Sequence, residues 1–266
     1  VVFRDGTDIY FARQLVNERI QQAKDQLPPG TQTAMGPIST GLGEIFMYAV
    51  AAKPGATNAD GKPYTATDLR TIQDWIIKPQ LRTVPGIVEV NTIGGYEKQF
   101  HVLPDPAKLM AYKLSFRDVM TALAANNANV GAGYIERNGE QYLVRTPAQV
   151  ANIADIRDVI IGSHQGVPIR ISDVAEVTEG KELRTGAGTL NGEESVIGTA
   201  MLLIGDNSRD VAQRVSSRLD TISKSLPEGV SATKVYDRTT LVEATIATVE
   251  KNLIEGALLV IAILFL

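Results

Sequence analysis

Three stretches of the chain spell strand, turn and helix in the same order, and this repetition limits the fold more tightly than any single motif. The first opens on the apolar Val1 to Phe3, turns at Asp5-Gly6, and offers Thr7 or Asp8 as the cap of a helix. In that helix Ala12, Leu15, Val16, Ile20, Ala23 and Leu27 recur at helical spacing, and Pro28-Pro29-Gly30 stops it. The second has a strand through Met201 to Ile204, the turn Gly205-Asp206-Asn207, a helix through Val211, Val215, Leu219 and Ile222, and a stop at Pro227-Glu228-Gly229. The two align at a constant offset of 199, with seven identities in 25 ungapped positions: Gly6, Gln14, Val16, Arg19, Leu27, Pro28 and Gly30. That register points to an internal duplication, although a shared helix-stop pattern accounts for part of it.

The third unit lies between them. Ile45 to Ala51 is an apolar run of strand length, Lys53 to Tyr64 is a polar Gly/Pro/Asn loop, and Thr65 or Thr67 starts a helix carrying Leu69, Ile72, Trp75, Ile76 and Leu81. Beyond Pro85-Gly86, Ile87 to Ile93 alternates as a strand that Gly94-Gly95 closes. Crossovers of this length predict an α+β fold of ferredoxin-like βαβ sandwiches, more than one to the chain.

Residues 98–178 read differently. A strand to Leu103 leads through Pro104-Asp105-Pro106 into two short helices, Ala107 to Tyr112 and Ser115 to Asn127, with Ser115 and Asp118 as a capping box. Short strand-like segments follow at Val130 to Glu136, Gln141 to Arg145, Val159 to Gly162 and Val167 to Ile171. The stretch therefore reads as a small mixed domain inserted into the third unit, whose partner strands are expected at 179–240.

The ends are abrupt. The chain starts inside an apolar triplet without Met, and Gly256 to Leu266 is eleven residues without a polar side chain. A membrane span needs about 20 such residues. The tail thus reads either as a buried terminal helix or strand, or as a transmembrane helix cut part-way, led in by Thr245, Glu250, Lys251 and Glu255. With 44% hydrophobic residues, 21% charged and a formal net charge of −4, neither a disordered chain nor a basic nucleic-acid binder is expected. Cysteine is absent, which excludes thiolate metal sites and Cys nucleophiles, and the two histidines, His101 and His164, lie far apart.

Val2-Phe3-Arg4-Asp5-Gly6-Thr7-Asp8, Asp68 to Trp75, Val84-Pro85-Gly86-Ile87-Val88-Glu89-Val90, Gly94-Gly95 and Pro104-Asp105-Pro106 with Lys108-Leu109 form an ordered set. Gly166-Val167-Pro168-Ile169, Asp173-Val174-Ala175, Leu190-Asn191-Gly192-Glu193, Leu226-Pro227-Glu228-Gly229 and Tyr236-Asp237-Arg238 continue it. Together they resemble the inner-membrane pump subunits of the resistance-nodulation-division superfamily, over essentially the whole chain. Phe3 to Asp8 and Gln73-Asp74-Trp75 look like its heavy-metal efflux branch.

The resemblance implies that residues 1–44 are the second half of a first porter subdomain whose opening strand and helix are missing. It implies that 45–97 and 179–240 are a second porter subdomain, that 98–178 is a docking subdomain, and that 241–266 begins a transmembrane helix. It further implies a homotrimer in a bacterial inner membrane, mostly periplasmic in this segment, working with a periplasmic membrane fusion (adaptor) protein and an outer-membrane channel. It also implies transport by proton-driven alternating access, with a metal cation as cargo and no resident cofactor. The proton-carrying carboxylates of such pumps lie in transmembrane helices later in the chain, so Glu250 and Glu255 are expected only to flank a span.

Substrate contacts are expected from sheet residues. Glu44 stands at the lip of Ile45-Phe46-Met47-Tyr48, and alternation in Val88-Glu89-Val90 sets the carboxylate opposite the two valines. Glu44 and Glu89 are thus candidate ligands for one divalent zinc or cobalt ion, or simply solvated sheet residues. Met35, Met47, Met110, Met120 and Met201 have no paired spacing and read as core packing. The copper and silver branch looks like Glu-Met-Arg where this chain has Glu182-Leu183-Arg184, which favours the cobalt-zinc-cadmium branch. Gly131-Ala132-Gly133 lacks dinucleotide-fingerprint spacing, Asn126, Asn127 and Asn129 read as a helix end, and no nucleophile motif is present, so no enzyme is expected. The rival readings are a periplasmic ferredoxin-like module on a single C-terminal anchor and a drug exporter of the same superfamily.

Overall fold

The computed structural model describes residues 2–28, 30–127, 130–137, 140–146, 149–184 and 186–265. Val1, Pro29, Asn129 and Leu266, named above at element ends, lie outside the described residues. The order begins α1 (Ile9–Ala23), β1 (Glu44–Ala52), α2 (Ala66–Ile72), a π-turn (Gln73–Ile77), α3 (Lys78–Leu81), β2 (Ile87–Ile93), β3 (Lys98–Pro104), α4 (Pro106–Ala111) and α5 (Phe116–Ala125). It continues with β4 (Val130–Arg137), β5 (Glu140–Thr146), α6 (Ile153–Asp158), β6 (Ile160–His164), β7 (Val167–Arg170), α7 (Ile171–Val174) and β8 (Ala175–Lys181). It ends with β9 (Gly188–Leu190), β10 (Glu193–Leu202), α8 (Ser208–Ser223), β11 (Val230–Asp237) and α9 (Arg238–Phe265).

The main sheet runs β11-β1-β10-β2, every neighbouring pair antiparallel, with β9 hairpinned onto β10 through Asn191 and Gly192 at φ 53 and 88. Its strands come from both sides of the 98–178 stretch. Phe46, Tyr48, Val50, Val90, Val196 and Ala200 pack against Leu69, Ile72, Ile77 and Leu81 of the first crossover and Val211, Val215, Leu219 and Ile222 of α8. At about 25 cal/mol per Å² of apolar area removed from water, this layer contact stabilises that half of the chain.

Thr65 caps α2 and forms a reciprocal box with Asp68, as the sequence suggests. The helix face then departs from a simple 3.6-residue count. Pro79 has no N–H to donate and its ring crowds the carbonyl four residues back, that of Trp75; the π-turn relieves this, with Lys78 N–H reaching Gln73 O instead. The extra residue rotates Gln73 and Ile77 into the core and leaves Trp75 79% exposed, so Trp75 is not a core residue.

A second cluster joins Leu109, Val119, Ile156, Val159, Ile169, Ile171, Val174 and Val177 from α4–α7 and their strands. The antiparallel ribbon β3–β8, in register from Lys98↔Lys181 to Pro104↔Ala175, connects it to the main sheet. Ser115 and Asp118 form the expected capping box on α5, and Ser115's hydrogen bonds hold the Asp118 carboxyl below the usual range. β7 stops at Arg170, one residue short of expectation, because Ile171 turns into α7 and is fully buried there.

Among the described residues the opening strand does not form: Val2 and Phe3 have no regular structure, and no described strand lies beside them to complete a ladder. α1 ends at Ala23, not Leu27; Leu27 precedes Pro28 and is held extended at φ −84, ψ 153. The duplication deepens in three dimensions. Asp8 caps α1 where Asn207 caps α8, and Gly6 and Gly205 (φ 82 and 94) and Gly30 and Gly229 (φ 86 and 81) share the left-handed conformation. Yet α8 buries five residues on the sheet, whereas α1 buries Ala12 alone.

The tail is one helix, α9, starting at Arg238. Its apolar end is exposed, from Leu258 (61%) to Phe265 (88%). Among the described residues no helix is long and apolar enough to cross a membrane.

Candidate functional site

Residues paired across antiparallel strands share a face. The register sets Glu44 of β1 opposite Met201 of β10, and Met201 opposite Glu89 of β2, so a carboxylate, a thioether and a second carboxylate lie in one row. Alternation puts this row on the face away from the helices, beside the row Tyr236, Met47, Thr199, Asn91. Asn91 Nδ2 donates to Met201 Sδ at 3.0 Å, tying this row to the next. Glu44 and Glu89 are two strands apart, about 10 Å between backbones.

Their side chains lean to opposite flanks. Glu44 is exposed and lines a cavity of about 350 Å³ with Gly41, Leu42, Met47, Tyr236 and Arg238. Glu89 belongs to the edge strand, and its Oε1 lies 3.7 Å from Lys78 Nζ, 4.0 Å from Arg82 Nε and 3.0 Å from the Val90 N–H that donates to it. The structure brings the two predicted residues onto one sheet row and does not bring their carboxylates together. Among the described residues no group of three or more His, Asp and Glu is placed to hold a metal ion.

Behind the row, on the helix side, runs a chain of hydrogen bonds. Tyr48 Oη donates to Gln73 Oε1 (2.9 Å), Gln73 Nε2 to Thr92 Oγ1 (3.3 Å), Thr92 Oγ1 to Asp74 Oδ1 (2.7 Å), and Arg70 Nε to Asp74 Oδ2 (2.5 Å). Arg70 continues to Gly94 O at 3.0 Å. Burial pushes the Tyr48 phenol far above its usual range; the Gln73 bond opposes this and the Asp74 charge adds to it. The network fixes the π-turn on the sheet, and with it the helix that presents Lys78 and Arg82.

At the base of the sheet, Ile204 N–H donates to Ile38 O, and Arg238 donates to Leu42 O, tying the segment before β1 to β10 and α9. Burial raises the Asp237 carboxyl, but hydrogen bonds from Thr239 and Lys234 outweigh it and hold the group below the usual carboxylate range.

A family profile described as the AcrB/AcrD/AcrF family matches residues 1–266. The chain belongs to that family. It is 65% identical to "Protein HelA" of Legionella pneumophila and 61% identical to the "Cobalt-zinc-cadmium resistance protein CzcA" of Cupriavidus metallidurans, in each case over 100% of the chain and 25% of the relative. A solved heavy metal efflux pump superposes on 96% of the chain and 25% of its own length, with a TM-score of 0.81 at 31% identity. The chain spans about a quarter of the length of the relatives it matches. These likenesses agree with the heavy-metal efflux branch read from the motifs.

For a family member so placed, the remaining candidates sort by exposure. Met110 and Met120 are 73% and 70% exposed on α4 and α5, so they are not core packing, whereas Met201 is 9% exposed within the sheet row. The sequence offered Met201 only as an isolated methionine; the cue that it stands between Glu44 and Glu89 is strand order, which a linear reading does not contain. Leu183 is 88% exposed just beyond β8, and Glu255 pairs with Lys251 at 3.8 Å on exposed helix surface. Lys78 and Arg82 were not singled out by sequence; their i, i+4 spacing is visible there, but their place beside the edge strand β2 comes only with strand order.

Proposed function

We propose that this chain is the N-terminal periplasmic part of a proton-driven pump that exports divalent heavy-metal cations, zinc, cobalt or cadmium rather than copper or silver. The supporting observation is the Glu44–Met201–Glu89 row on the sheet face left free of helices, in a chain 61% identical to a cobalt-zinc-cadmium resistance protein. Carboxylate oxygens suit borderline divalent cations, and a neighbouring thioether suits the softer of them, cadmium. Glu44 and Glu89 act as transient contacts, completed by residues from elsewhere in the pump.

In this reading β1-α2-α3-β2 and β10-α8-β11, with strand order 4-1-3-2 by sequence, form a ferredoxin-like second porter subdomain of residues 45–97 and 179–240. Residues 1–44 are half of a first porter subdomain, supported by the shared caps and glycines of α1 and α8. Residues 98–178 are the docking subdomain, and α9 leads into a span of the inner membrane. The assembly is a homotrimer joined to an adaptor protein and an outer-membrane channel, with the proton-carrying groups outside this segment.

The test is a graft of this chain into the matching quarter of CzcA, expressed in a metal-sensitive bacterium. Growth in zinc, cobalt and cadmium is expected, with Glu44→Gln and Glu89→Gln each lowering the tolerated metal concentration severalfold. A graft that reaches the membrane at normal level and confers resistance to none of the three metals refutes the reading.

A further inference from the structure

We propose that Lys78 and Arg82 are internal competitor cations for Glu89: they hold its carboxylate when no cargo is present and weaken the hold of that carboxylate on a bound divalent cation. This rests on the reading that Glu89 contacts the cargo. Three observations carry it. First, Glu89 sits on the edge strand opposite Met201, so its side chain has two directions open, over the sheet row or round the free edge. Second, round that edge α3 presents Lys78 and Arg82, one helical turn apart, both directed at the same oxygen, Oε1. Third, their separations of 3.7 and 4.0 Å are charge-pairing distances, longer than hydrogen bonds, and the three side chains keep 29%, 54% and 28% of their exposure.

A carboxylate held this way is retained by charge alone on the side-chain side. A divalent cation outcompetes two single charges at such range, yet the ammonium and guanidinium stay within reach and repel it. Their placement is not incidental: the π-turn sets Ile77 and Leu81 in the core, and the same phase leaves Lys78 and Arg82 toward the β2 edge. The consequence is a site of lowered affinity, as a path that must release its cargo requires.

The experiment is calorimetric titration with zinc chloride, in detergent at low salt, of the CzcA graft that carries this chain, because the residues that complete the site lie elsewhere in the pump. Removing one unit charge about 6 Å from a divalent ion in water-like surroundings is worth roughly tenfold in affinity. Lys78→Gln and Arg82→Gln are therefore each expected to tighten zinc binding by up to about tenfold, and the pair by more. Lys78→Arg, which keeps the charge, retains the parental affinity, and in a Glu89→Gln background the Gln substitutions change nothing. If the double variant does not fold, the single variants decide. Zinc binding that Glu89→Gln weakens but Lys78→Gln and Arg82→Gln leave at the parental value overturns the competitor role while sparing the cargo contact. Binding unaffected by Glu89→Gln overturns the cargo contact itself, and the competitor role with it.

Discussion

Tyr48→Phe gives the sharpest check on how the sheet and its crossover helix are joined. The substitution keeps the ring, which is fully buried, and deletes the hydroxyl that donates to Gln73 Oε1 at 2.9 Å. That amide oxygen then loses its donor inside the layer, at a cost of about 1–3 kcal/mol at neutral pH. The alkaline range adds a second signature. Burial holds the folded phenol protonated well above the ordinary value of about 10, while the unfolded chain releases its proton there. Above that pH the unfolded state binds fewer protons than the folded one, so the stability contributed by neutral Tyr48, complete below about pH 10, falls by about 1.4 kcal/mol per pH unit. The phenyl ring of the variant has no proton to release. Urea unfolding followed by circular dichroism at a series of pH values should therefore show the variant less stable at neutrality, with the two curves converging about one to two units above pH 10. Parallel curves through the alkaline range refute the claim that this phenol is shielded.

Val215→Ala and Val16→Ala test the duplicated helices against each other: fully buried Val215 should cost about 2 kcal/mol in urea unfolding, and Val16, its half-buried counterpart on α1, less than about 1. Asp237→Asn keeps the cap on Thr239 but removes the charge; because the folded carboxyl lies below its usual range, the parent loses stability as pH falls below about 4 and the variant loses less, measured as thermal midpoints in acid.

Strand and helix placement was readable where local chemistry and burial agree. Ile87 to Ile93 alternates and is β2; Thr65, Ser115 and Asp8 are caps in sequence and in structure. Trp75 misled because the core face was counted at a constant period, whereas Pro79 inserts a residue into the turn. The opening Val2-Phe3 misled because apolar content marks a strand only when a neighbour completes its ladder. Glu44 and Glu89 were legible as sheet acids. Their flanks were not: the Glu44–Met201–Glu89 row depends on β10 lying between β1 and β2, and the Lys78 and Arg82 pairing depends on where a crossover helix settles.

β11 ends at Asp237 and α9 begins at Arg238, with no residue between them. A strand that becomes a helix without a loop has no slack at the join, and 28 helical residues extend about 42 Å from it. The sheet edge and the far tip of α9 therefore behave as two arms of one crank: a tilt of a few degrees at Asp237 sweeps the tip through roughly 2–4 Å, and force applied at the tip arrives at the β11–β1 seam beside Glu44.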